Sequence, residues 1–297
     1  MIRRYHKRNE IQIRDPFVLR HDREGRYYLF GSTDKDIWKG KATGFDVYRS
    51  EDLEHWEGPF PAFRPDPGFW ADTNFWAPEV HPYRGRYYMF ATFKAEGVRR
   101  GTQILVADHP LGPFRPHSNG PVTPRDRECL DGTLYIDENE QPWMVFCHEW
   151  VQITNGTVCA MPLSGDLRRA EGEPVTLFAA RDAAWVDPVK GGAGYVTDGP
   201  FLYRSEDGGL LMLWSSFRGG KYAQGVARSP SGRLLGPWVQ EEQPLFDGDG
   251  GHGMLFRTFD GRLMLTLHSP NKTPNERMKL AEVREENGWL RLAGEPV

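Results

Sequence analysis

Four carboxylic acids and one histidine recur at comparable places along the chain, each just before a short apolar segment. They are Asp15, Glu79, Asp131, Asp198 and His252. Carboxyl groups gathered around one cavity shift one another's pKa values, which makes them poor stabilisers and good candidates for chemistry. Cleavage of a glycosidic bond needs such a pair, because an ionised carboxylate activates water while a protonated one donates to the leaving oxygen. The alternative is that some of these side chains only hydrogen-bond to backbone where their strands begin.

A repeat must bring these residues together if they act as one site. In each copy the marked residue begins an apolar strand, as at 15–19, and a turn rich in Asp, Asn or Gly and a second strand follow. A second hairpin comes after them, and the marked positions lie 52 to 67 residues apart. Four strands per copy without helical periodicity predict an all-β fold, a five-bladed β-propeller whose inner strands converge on the axis. We expect residues 1–297 to form this single domain.

The charge pattern and the cysteines exclude several classes of protein. The 37 Lys and Arg residues are scattered and the net charge is −4, so the basic stripe of a nucleic-acid binder is missing. No apolar stretch approaches the length that spans a membrane. Cys129, Cys147 and Cys159 have no paired spacing, which indicates free thiols. We therefore expect no nucleic-acid or membrane partner, and a protein that is cytoplasmic, or secreted with its leader removed.

Four motifs carry a resemblance to a known family. They are RDPF at 14–17, FWAPEVH at 75–81, LDG at 130–132 and DGPF at 198–201. With these motifs in this order, the chain resembles glycoside hydrolase family 43 over essentially its whole length. The resemblance implies a propeller enzyme that hydrolyses α-L-arabinofuranosides or β-D-xylosides, as oligosaccharides or polysaccharides, with inversion and with no required cofactor. It also implies that Asp15 is the general base and that Asp131 orients the acid and raises its pKa.

One position departs from the family pattern. The general acid of the family is a Glu before Gly-Pro in the fourth blade, where this chain has Asp198. Asp is one methylene shorter, so its proton would sit roughly 1 Å further back, and proton donation depends on hydrogen-bond reach. Three interpretations stay open: Asp198 is the acid, Glu79 is the acid, or the protein binds sugars without cleaving them. A related propeller enzyme acting on fructosides or transferring mannose to phosphate is a further alternative, against which the motif at 76–81 argues.

Five further side chains are predicted to bind the sugar. Trp76 and Phe75 precede the second marked position and would offer apolar faces to a sugar ring, although core packing is the alternative for both. The Glu79 carboxylate lies next to them in sequence and is a candidate ligand for hydroxyls. His268 and Arg277 form a second predicted pair, since a guanidinium can hydrogen-bond two hydroxyls at once.

A calcium ion is the one metal that the resemblance suggests. The resemblance matches His252 to a position near the axis where a histidine helps to hold a central calcium ion or its waters. Calcium prefers oxygen ligands to imidazole, so we expect any contact between His252 and the ion to run through water.

Overall fold

The computed structural model describes residues 4–189 and 191–297. These residues form five antiparallel β-sheets, and their arrangement confirms the predicted five-bladed β-propeller. Each blade has four strands in chain order, and blade 1 has one more strand, β1, on its outer edge. Along the described chain no helix is long and apolar enough to cross a membrane.

The strands follow one another blade by blade. Blade 1 contains β1 (Tyr5–Lys7), β2 (Arg14–His21), β3 (Arg26–Ser32), β4 (Phe45–Ser50) and β5 (His55–Phe63). Blade 2 contains β6 (Thr73–Tyr83), β7 (Arg86–Ala95), β8 (Val98–Ala107) and β9 (Arg115–Pro116). Blade 3 contains β10 (Cys129–Ile136), β11 (Pro142–His148), β12 (Thr157–Pro162) and β13 (Val175–Ala179). Blade 4 contains β14 (Asp198–Arg204), β15 (Leu210–Arg218), β16 (Lys221–Ser229) and β17 (Val239–Gln240). Blade 5 contains β18 (Gly251–Arg257), β19 (Leu263–Ser269), β20 (Arg277–Glu286) and β21 (Trp289–Leu292).

Helical structure is limited to single turns in the connections. The short helix α1 (Trp150–Ile153) lies between β11 and β12, and 3-10 turns occupy Arg8–Glu10 and Ala180–Asp182. The first strand of each blade contacts the first strand of the next blade, and β18 contacts β2, so the five inner strands form a closed ring.

Both faces of the sheets are covered by neighbouring blades, which explains why the strands read as unbroken apolar runs. In β15, residues 210–213 are all fully buried. Successive side chains of a strand point to opposite faces. Leu210 and Met212 accordingly pack in the cluster shared with blade 3, whereas Leu211 and Leu213 pack in the cluster shared with blade 5. The three cysteines are buried free thiols, as their spacing predicts.

Every inner strand carries a bulge at the same level of the axis. Its pairing with the second strand of the blade slips after residues 14, 76, 130, 198 and 251. The residue that follows each of these has a positive φ of 45 to 56°, and we call these five the axial residues: Asp15, Ala77, Asp131, Gly199 and His252. The predicted register is therefore correct for Asp15, Asp131 and His252. It is wrong by one residue for Asp198 and by two for Glu79.

The ring closes between blade 5 and blade 1 through side chains and one isolated backbone bridge. Gln12 pairs with Arg277 in that bridge. The Arg277 guanidinium donates to the backbone carbonyls of Asn9, Pro274 and Glu276. Arg277 thus joins two blades through Nε and Nη1, and it does not line the cavity over Asp198, a geometry that does not support its predicted role as a sugar ligand.

Candidate active site

The axial end of blade 1 places Asp15 beside one guanidinium, that of Arg14, and two imidazoles, those of His252 and His268. Its Oδ1 lies 3.2 Å from Nδ1 of His252, and its Oδ2 accepts a hydrogen bond of 2.6 Å from Ser32. Burial by itself would raise the pKa of Asp15, but His252, Arg14 and His268 outweigh it, so the pKa lies below its usual value. An ionised carboxylate with this surrounding has the protonation state that a general base needs.

Asp131 faces the same cluster from blade 3. Its Oδ2 accepts the backbone N–H of Gly199 at 3.0 Å and lies 3.8 Å from Nδ1 of His252. Burial, and after it the negative charge of Asp15, raises the pKa of Asp131 well above its usual value. Asp15 and Asp131 therefore share one imidazole, as their common axial position requires.

Asp198 precedes the axial residue of blade 4 and reaches the same region from one position earlier in the strand. The phenol of Tyr222 donates to its Oδ2 at 3.0 Å. Burial, followed by the charge of Asp131, raises the pKa of Asp198 to about 7. Glycine follows because an added Cβ would lie 2.7 Å from Cδ2 of His252, whereas the positive φ alone is tolerated by the other four axial residues. The pKa of Asp15 is thus lowered and that of Asp198 raised, which is the difference that a general base and a general acid require.

A cavity of about 490 Å³ opens over Asp198. Its aromatic lining consists of Trp38, Trp76, Trp150 and Phe217. The indole of Trp76 is fixed by a 2.8 Å hydrogen bond to the carbonyl of Ile37, and the Arg100 guanidinium lies 4.3 Å from the centre of the Trp76 ring. Trp38 meets Trp76 edge to face at 5.2 Å between ring centres. Rigid aromatic faces beside carboxyl groups are suited to binding the apolar face of a sugar ring.

The cavity also contains charged side chains that are absent from the recognised motifs. Lys94 and Arg100 line it together with Glu128 and Glu149, and Arg100 forms an ion pair with Glu149. Burial raises the pKa of Glu149 in spite of that pair. Trp38, Arg100 and Tyr222 were all missed from the sequence, because they lie on a loop, on β8 and on β16, outside the repeated inner strands.

Glu79 does not line this cavity. Its Oε2 accepts a 2.5 Å hydrogen bond from Thr133 and lies 3.0 Å from Nε2 of His81. Two residues beyond the axial position of blade 2, the carboxylate is buried and turned toward these partners. The geometry therefore does not support Glu79 as the proton donor or as a sugar ligand.

Two other predicted sugar ligands are covered by the protein. Phe75 is 1% exposed and packs edge to face on Phe93 at 4.8 Å between ring centres, so its faces belong to the core. His268 is fully buried, and its Nδ1 accepts the backbone N–H of Asp15 at 3.2 Å. Burial and the nearby Arg14 lower the pKa of His268 to about 3. Neutral His268 therefore accepts the Asp15 N–H and holds the backbone of Asp15 in place.

The prediction for His252, a contact with calcium through water, stays a prediction. Nδ1 of His252 faces Asp15 and Asp131. Within the described ranges, no group of three or more His, Cys, Asp or Glu side chains is arranged to hold a metal ion. These residues do not fit a directly bound ion, and the chemistry below is derived without one.

One protein-family model matches the chain, and solved structures share its fold. The profile of Glycosyl hydrolases family 43 matches residues 10–290. The endo-arabinase from Bacteroides thetaiotaomicron VPI-5482 is 44% identical, with a TM-score of 0.88 over 95% of this chain and 98% of that one. The α-L-arabinofuranosidase from Lactobacillus brevis shares the fold at 20% identity, with a TM-score of 0.76 over 96% of this chain and 95% of that one. No curated protein matches the chain in sequence.

Proposed function

The chain belongs to family 43 of the glycosyl hydrolases, and on that basis we propose that it hydrolyses α-L-arabinofuranosidic bonds in arabinose-containing polysaccharides or their oligosaccharides, with inversion. The observation that carries the proposal is the opposite pKa displacement of Asp15 and Asp198, two carboxyl groups that both lie near the His252 imidazole, with Asp198 lining the cavity. The similarity to the Bacteroides endo-arabinase, at 44% identity, supports arabinose over xylose as the sugar.

In the proposed mechanism, Asp15 takes a proton from a water molecule that attacks the anomeric carbon. Asp198, which holds its proton below a pH of about 7, transfers it to the departing oxygen. The charge of Asp131 raises the pKa of Asp198, and His252 and Ser32 fix the orientation of the Asp15 carboxylate. Trp76 and Trp38 would bind the ring that precedes or follows the cleaved bond.

Hydrolysis of linear α-1,5-arabinan and of 4-nitrophenyl α-L-arabinofuranoside by the wild type and Asp15→Ala tests this proposal. We expect the variant to lose about 10²- to 10⁴-fold in kcat, the usual contribution of a general base. The exposed Asp108, replaced by Ala, is the matched control and should keep full activity. Inversion predicts that proton NMR detects the β-anomer of the released sugar first.

Two outcomes would redirect the proposal. Turnover of 4-nitrophenyl β-D-xyloside without turnover of any arabinoside would show that the substrate is a xyloside. The proposed roles of Asp15 and Asp198 would then stand. If no furanoside or pyranoside is hydrolysed while arabino-oligosaccharides bind in calorimetry, the protein is a sugar-binding propeller. The specific observation that favours this second function is the aspartate at position 198, where the family pattern has a glutamate.

A further inference from the structure

A hydrogen bond joins the axial residue to the preceding blade at four of the five blade junctions. In each of these the axial N–H donates to a side chain near the end of the second strand of the blade before it. The pairs are Ala77 to Ser32 at 2.9 Å, Asp131 to Thr92 at 2.9 Å, His252 to Ser215 at 2.7 Å and Asp15 to His268 at 3.2 Å. The four acceptors occupy the same place in the strand pairing, opposite residues 14, 76, 198 and 251. The bulge thus directs each of these N–H groups to a side-chain acceptor in the preceding blade.

The exception lies between blades 3 and 4. The equivalent acceptor position, opposite Leu130, is Cys147, which is fully buried. A thiol is a weak hydrogen-bond acceptor compared with a hydroxyl or an imidazole nitrogen. Instead, the axial N–H of Gly199 donates a hydrogen bond of 3.0 Å to Oδ2 of Asp131. The one departure from the repeat therefore directs a backbone donor to a carboxylate of the active site.

We propose that Cys147 is a positioning residue: because its thiol does not take the Gly199 N–H, that N–H remains available to hold and orient the Asp131 carboxylate. The inference rests on the proposed function, in which the charge of Asp131 keeps the proton on Asp198. It concerns a residue that acts through another, since Cys147 lies beneath the cavity and does not line it.

The electrostatic consequence follows from the groups that face Asp131. They are the carboxylic acids Asp15 from blade 1, Glu79 from blade 2, Glu149 after β11 and Asp198 from blade 4, together with His252 from blade 5, the Tyr222 phenol of β16 and the Cys147 thiol of β11. Four of these are acids, so the ionised form of Asp131 needs a donor, and a hydrogen bond to the carboxylate favours that form. Its charge in turn raises the pKa of Asp198. Without the Gly199 N–H, Asp131 would ionise less readily and Asp198 would lose its proton at lower pH.

Two substitutions at one position separate this role from packing. Cys147→Ser keeps the volume and supplies a hydroxyl acceptor, whereas Cys147→Ala supplies none and leaves a small cavity. We expect Cys147→Ser to move the alkaline limb of the kcat/KM profile on arabino-oligosaccharides down by about one pH unit. Cys147→Ala should leave that limb in place. If Cys147 only fills space, Ala would be the more damaging change and neither variant would move the limb, which would overturn the proposal.

A matched control and a structural measurement complete the test. Cys159→Ser makes the same change in the same blade, away from the axial residues, and should leave the pH profile unchanged. In a crystal structure of Cys147→Ser, we expect the Gly199 N–H to point to the introduced hydroxyl, and in Cys147→Ala to stay on Asp131. A Gly199 N–H that stays on Asp131 in the Ser variant would refute the inference. If the bond switches but the wild type cleaves no glycoside, the proposed function fails while the positioning of Asp131 stands.

Discussion

Asp15 and Asp198 are the same residue type in two electrostatic environments. Asp15 has His252, Arg14 and His268 around it, and these cations and dipoles hold its pKa below the usual value in spite of burial. Asp198 is desolvated beside Asp131, with a single phenol as donor, and its pKa rises to about 7. In the proposed mechanism, these neighbours account for the base and acid roles, which the side chains alone do not distinguish.

The acid assignment predicts a dependence on the leaving group. Asp198→Ala should reduce hydrolysis of arabino-oligosaccharides about 10²- to 10⁴-fold, because their leaving alcohol needs a proton. A 2,4-dinitrophenyl arabinoside needs no such proton, so the variant should hydrolyse it nearly as fast as the wild type. Asp15→Ala is the control, since loss of the base slows both substrates alike. An equal loss on both substrates in Asp198→Ala would show that Asp198 is not the proton donor.

The phenol of Tyr222 predicts a pH shift of known sign. Its hydrogen bond to Asp198 stabilises the ionised form, so Tyr222→Phe should raise the pKa of Asp198 further above its usual value. The acid then stays protonated to higher pH, and the alkaline limb of kcat/KM should move up by about one unit. Tyr203→Phe removes a phenol that binds Glu285 outside the site and should leave the limb unchanged. A limb that stays fixed in folded Tyr222→Phe would mean that the phenol does not tune the acid.

The inner strands show how far the repeat could be predicted and where it failed. The sequence motifs locate all five inner strands, and the axial aspartates of blades 1 and 3 follow from them. Aligning acidic residues with one another, however, shifted blades 2 and 4, because a bulge separates the axial residue from the chemically similar one. The prolines carry the correct register, since Pro16, Pro78 and Pro200 each follow an axial residue.

The cavity wall could be predicted less well than the carboxylates, for a physical reason. Motif residues lie on inner strands whose spacing the repeat constrains, whereas Trp38 comes from a connection between β3 and β4 and reaches Trp76 in another blade. Phe75 and Trp76 are neighbours in sequence but point to opposite sides of β6, one into the core and one into the cavity. Successive side chains of a strand point to opposite faces, so the register of β6 decides which of the two aromatic side chains lines the cavity.

The propeller as a whole depends on the junction of its first and last blades. Blade 5 consists of β18 to β21, and in the described chain its contact with blade 1 rests on side chains and the isolated bridge at Gln12. Arg14 contributes most directly, since its guanidinium lies 3.2 Å from the fully buried Glu276 and donates to Asn271 at 2.6 Å. The same arginine begins β2 and immediately precedes Asp15, so closure of the ring and placement of the proposed base depend on adjacent residues.

Ring closure predicts that Glu276→Gln destabilises the whole fold. The change is isosteric, but it removes the carboxylate that pairs with Arg14 and leaves Asp15 as the remaining anion beside the guanidinium, so the cost should lie at or below the roughly 3–5 kcal/mol that is typical of breaking a buried pair. We expect a clear fall in the midpoint of thermal unfolding. Glu171→Gln breaks an exposed pair with Arg169 and should change the midpoint little. Equal midpoints for the two variants would mean that the blade 5 to blade 1 junction does not limit stability, and that the continuous inner ring is sufficient to hold Asp15 in place.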